Sequence, residues 1–61
     1  MLLSLKAARV YAGYTQKNAA EKIGVAQSTL RNYEHKVTFP PTDIVYKISK
    51  AYGLDIKDID W

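Results

Sequence analysis

One stretch, residues 15–34, constrains this chain more than any other: TQKNAAEKIGVAQSTLRNYE. It reads as two short helices joined by a tight turn at Gly24. Thr15 can cap the first helix with its hydroxyl, and Ala20 and Ile23, three apart, share one face. Gly24 supplies the left-handed backbone that ends a helix. Val25 follows as an apolar plug, and residues 27–34 form the second helix with Leu30 and Tyr33 inward. The same period turns Gln27, Ser28, Arg31 and Asn32 outward.

Two readings of that outward set stand side by side. Any surface helix has a polar, solvated face. Gln, Asn and Arg are also the side chains that make paired hydrogen bonds to base edges in the major groove. The order helix, tight Gly turn, helix is that of the helix-turn-helix motif, and it tilts the balance toward a reading face.

The flanks read as further helices. Ser4 is a plausible N-cap for a first helix over 4–12, with Leu5, Ala8, Ala12 and either Val10 or Tyr11 as its apolar stripe, and Gly13 ends it. Phe39-Pro40-Pro41 forces an extended entry to a fourth helix, begun by Pro41 or Thr42. Ile44, Val45, Ile48, Ala51 and Tyr52 recur at helical spacing, Gly53 ends the helix, and Leu54 plugs the turn. Asp55 is placed to cap a short fifth helix through Ile59. Of the five tyrosines, Tyr14, Tyr33 and Tyr52 fall on core positions, while Tyr11 and Tyr46 fall on solvent faces. Trp61 either packs back on the core or offers a contact to a second copy.

Composition bounds the rest. A 61-residue chain is one domain, 1–61, and a domain this short buries only about 60% of its unfolded surface. With no cysteine there is neither a disulfide nor a thiolate metal site. No apolar run approaches the roughly 20 residues of a membrane span, and Met1-Leu2-Leu3 is too short for a signal peptide. The expected place is the cytoplasm. The net charge of +3 is uneven: residues 1–40 hold six Lys or Arg against two Glu, residues 41–61 three Lys against four Asp. The positive excess therefore lies with the motif, as a phosphate binder requires. There is no Ser-His-Asp arrangement, no Gly-rich phosphate loop and no metal-ligand cluster, so no enzyme, metal or cofactor is expected. His35 stands alone and reads as a surface residue.

The joint pattern resembles the helix-turn-helix domain of the phage-repressor and Cro-like (XRE-type) regulators. The matching residues are Leu5 and Arg9, Tyr14-Thr15-Gln16, Ala20, Ile23-Gly24-Val25, Gln27-Ser28-Thr29-Leu30, Tyr33-Glu34, then Ile48, Ala51, Gly53-Leu54 and Ile59. The resemblance implies an all-α fold, a compact five-helix bundle of the lambda-repressor-like type. It implies sequence-specific binding of double-stranded DNA by a small transcriptional regulator, a repressor from a phage or mobile element. Helix 27–34 would enter the major groove, with Gln27, Ser28, Arg31 and Asn32 on bases and Gln16, Lys17, Thr29, Lys36 and Thr38 on phosphates. A homodimer on a pseudo-palindromic operator follows, because one such module buries little surface alone. The alternative is a protein-interaction module of antitoxin type, in which Tyr46, Lys57 and Trp61 would matter instead.

The resemblance also bears on Arg9, a charge near an apolar stripe. Its long stem can lie on apolar surface with the head in water, or it can pair with Glu34, and the resemblance implies the Arg9–Glu34 pair. Gln16 in such proteins lies on the DNA backbone and braces a Gln at the place of Gln27. Three departures stand out. Ala19 replaces a larger apolar residue. Ala26 occupies a cap position where Ser, Thr, Asp or Asn is favoured. His35-Lys36 replaces Asn-Gly, so that either the helix extends or one of these two residues takes a left-handed conformation.

Overall fold

Ser4 and Thr15 each start a helix in the same way. Both have extended backbone, and each hydroxyl accepts the N–H three residues on: Ala7 at 3.0 Å and Asn18 at 3.1 Å. The computed structural model describes residues 2–61; Met1, at the head of the apolar Met1-Leu2-Leu3 start, lies outside the described residues. In chain order the elements are β1 (Leu3–Ser4), α1 (Leu5–Tyr11), α2 (Gln16–Ile23), α3 (Gln27–Glu34), α4 (Thr42–Tyr52), a 3₁₀ turn (Ile56–Asp58) and β2 (Ile59–Asp60).

The helix ends follow local chemistry. Gly24 ends α2 and Gly53 ends α4, both left-handed, with φ of 89° and 68°. Each N–H returns to the carbonyl four residues back, Ala20 and Ser49 respectively. This satisfies carbonyls that a helix end otherwise leaves open. Ala26 begins α3 with no side-chain cap bond.

The core gathers one stripe from each helix. Leu5 and Ala8 of α1, Ala19, Ala20 and Ile23 of α2, Leu30 and Tyr33 of α3, Ile48 and Tyr52 of α4 and Ile59 of β2 form one buried cluster. Leu30 and Ile48 are its largest fully buried side chains. Small residues at 19 and 20, both nearly inaccessible, let α2 lie close to its neighbours, and the Tyr14 and Tyr52 rings pack with centroids 5.8 Å apart. The stripe of α1 does not run through Val10 or Tyr11, which are exposed. It runs through Leu5, Ala8 and the half-buried Ala12.

The expected fifth helix is not formed. In its place stand a single 3₁₀ turn and a two-residue parallel ladder that pairs Leu3 with Ile59 and Ser4 with Asp60. Asp55 occupies the cap position of that turn but makes no side-chain bond. The reason is competition. A lone turn over Ile56–Asp58 gains little against the cost of helix nucleation, whereas an extended Ile59 buries its side chain, 3% exposed, and bonds to β1. Among the described residues, four α-helices and this strand pair make the fold. Trp61 turns back: its Nε1 donates to the Ile56 carbonyl at 3.0 Å, and the ring packs against the core. No helix among the described residues is long and apolar enough to cross a membrane.

Candidate nucleic-acid interface

Helix α3 is held by Leu30 and Tyr33, which leaves its opposite side open. Gln27, Ser28, Arg31 and Asn32 are all exposed there. Eight residues make a helix about 12 Å long, comparable to the roughly 12 Å width of a B-DNA major groove.

The position of Gln27 is set by a chain of polar contacts that starts in the core. Arg9 is 8% exposed, and its Nε donates to Glu34 Oε2 at 2.7 Å while Nη2 donates to Oε1 at 3.4 Å. Its Nη1 donates to the Tyr14 carbonyl at 3.0 Å. Arg9 thereby ties α1 both to the end of α3 and to the start of α2. Glu34 Oε1 also accepts Gln16 Nε2 at 3.3 Å, and Gln16 Oε1 accepts Gln27 Nε2 at 3.4 Å. A carboxylate only accepts, so Gln16 must turn its NH₂ toward Glu34 and its carbonyl toward Gln27. Gln27 is exposed, and this bond uses one N–H of its amide, leaving its carbonyl and second N–H without a protein partner.

The remaining predicted residues are distributed unevenly. Lys17 and Thr38 are exposed and Thr29 is half-buried. Lys36 is the residue that takes the left-handed conformation, with φ of 59°, and its Nζ lies 3.1 Å from Asp60 Oδ1 on β2. That carboxylate holds the lysine toward the C-terminal strand rather than toward Ser28, Arg31 and Asn32. The structure brings those three together instead with His35 and Val37, around a shallow depression of about 340 Å³. The position of Val37 beside this face and the convergence of Arg9 and Gln16 on Glu34 were not among the expectations from sequence. A left-handed residue at 36 was the available signal for Val37, since it carries the next N–H back onto α3.

Tyr52 lies behind this network. Its hydroxyl is buried with no hydrogen-bond partner. Desolvation by burial is the main cause that pushes its pKa up to about 12; the Glu34 charge adds to this and Arg9 opposes it. Among the described residues, no group of three or more His, Asp or Glu is placed to hold a metal ion.

Two short helices crossing at a left-handed glycine, with the second carrying an open polar face, define a helix-turn-helix domain. The helix-turn-helix family model matches residues 5–59, and the chain belongs to that family. It is similar to the HTH-type transcriptional regulator ImmR of Bacillus subtilis (strain 168), with 48% identity over 50 residues. That match covers 82% of this chain and 39% of the regulator's own length. No solved structure matches the chain.

Proposed function

We propose that this chain is a sequence-specific reader of double-stranded DNA that acts in transcriptional regulation, as a repressor. The observation that carries the reading is the bracing of Gln27 by Gln16, Glu34 and Arg9. It presents a carbonyl and an N–H together, the pair that matches N6 and N7 of adenine. Ser28, Arg31 and Asn32 continue the reading face. The similarity to a regulator named as transcriptional supports the same role.

Phosphate contacts position such a protein and base contacts specify its site. Lys17, Thr29 and Thr38, with Gln16 at the start of α2, are the proposed phosphate contacts. Lys36 joins them by leaving Asp60, because an exposed ion pair of this kind is worth only about 0–1 kcal/mol. The longest dimension of the fold is 27 Å, shorter than the roughly 34 Å of one DNA turn. One copy therefore reads one groove segment, and two copies on a two-fold operator read a full site. The place of action is the cytoplasm.

The test is selection of bound duplexes from a random-sequence library at near-physiological salt. An enriched two-fold motif is expected. Gln27→Ala and Arg31→Ala should each relax preference at one base position, at a cost of about 1–3 kcal/mol. Binding that collapses with salt and enriches nothing would leave phosphate attraction alone and refute the reading.

A further inference from the structure

Val37, 68% accessible, is the apolar member of a depression whose other lining side chains are polar. It is not on a loose loop. The left-handed turn at Lys36 sends the Lys36 N–H to the Tyr33 carbonyl at 3.2 Å and the Val37 N–H to the Asn32 carbonyl at 2.9 Å. These two bonds fold the chain back over the end of α3. They set the branched side chain on the wall of the depression that Ser28, Arg31, Asn32 and His35 complete. Placing a valine there costs a left-handed lysine, where a glycine would be unstrained. A β-branched residue also has few rotamers to lose when it is covered.

The polar members of this surface match donors and acceptors on base edges, but Val37 can match none. The major groove offers one apolar feature, the 5-methyl group of thymine. We propose that Val37 is a specificity residue that packs on a thymine methyl beside the bases met by Ser28, Arg31 and Asn32. The proposal rests on the duplex-reading function above. Phe39, also exposed, does not line the depression and has no part in it.

The experiment uses the duplex motif enriched by the unaltered protein. Each thymine in a half-site is replaced in turn by deoxyuridine, which removes the methyl and leaves every hydrogen-bonding group. Covering one methyl is worth about a fourfold change in Kd. At one thymine per half-site the unaltered protein should lose about that factor. Val37→Ala should bind the thymine duplex more weakly and show no difference between thymine and deoxyuridine at that position. Retention of the full methyl effect in Val37→Ala would overturn the proposal and leave the duplex-reading function intact. So would the lack of any methyl-sensitive thymine. Failure to enrich any motif would overturn both.

Discussion

Breaking the Arg9–Glu34 pair from one side should be among the most damaging single changes to this fold. The two side chains are 10% and 4% exposed and 2.7 Å apart, so solvent screens them little. Arg9→Ala leaves the Glu34 carboxylate buried with Gln16 as its one remaining side-chain partner and also removes the bond to the Tyr14 carbonyl. Removing one member of a buried pair costs about 3–5 kcal/mol. A domain of this size holds about 3–9 kcal/mol in total, so the variant should be largely unfolded or show a thermal midpoint lower by about 12–40 °C. Arg9→Met refills the space but still strands the carboxylate. The double change Arg9→Met with Glu34→Leu removes both charges, and apolar replacement of a whole pair is close to neutral. It should be more stable than Arg9→Ala by at least about 2 kcal/mol. Urea denaturation followed by circular dichroism measures all three, with a constant slope as the check on two-state behaviour. The reasoning is refuted if Arg9→Ala stays within about 1 kcal/mol of the unaltered protein, or if the double variant is no more stable than Arg9→Ala.

Tyr52→Phe should stabilise the fold by about 1 kcal/mol, since it deletes a buried hydroxyl that has no partner; a lower thermal midpoint would contradict this. The same group gives a pH dependence. Its folded pKa of about 12 lies above the unfolded value of 10, so its contribution is complete below pH 10 and is lost as pH rises toward about 12. Tyr52→Phe should show a shallower loss over that window, read by denaturation at stepped pH. Gly24→Ala meets no atom within 4 Å of the new Cβ, so its cost is the left-handed backbone alone, about 1–2 kcal/mol. A chemical denaturation midpoint unchanged by that substitution would show the turn to be adaptable. Ala26→Ser restores a cap at a position whose backbone is already extended and should raise stability by about 1 kcal/mol; no gain would mean that the α3 amides are already satisfied.

Much of the architecture is legible in the chain itself. Ser4 and Thr15 as caps, Gly24 and Gly53 as terminators, and the apolar periods of α2, α3 and α4 are local facts, each acting over a turn or two of backbone. The exposed set Gln27, Ser28, Arg31 and Asn32 follows from the period of α3 once Leu30 and Tyr33 are inward. His35 and Lys36 were less legible. Lacking the usual glycine, they left two local solutions of similar cost, and the bonds from Lys36 and Val37 back to α3 decided between them.

What the sequence determined by itself is therefore the set of helices, their ends and the side that each buries, because propensity, capping and hydrophobic period are short-range. Tertiary structure decided the contacts that span the chain. Arg9 meets Glu34 across 25 positions, and Gln16 enters that pair from α2, which orients Gln27. Ile59 pairs with Leu3 in place of the expected helix, and its side chain is buried in the shared core. Val37 reaches the open face of α3, and Lys36 is drawn to Asp60. Each of these outcomes depends on which groups packing brings within a few ångströms, and local preference carries no information about that.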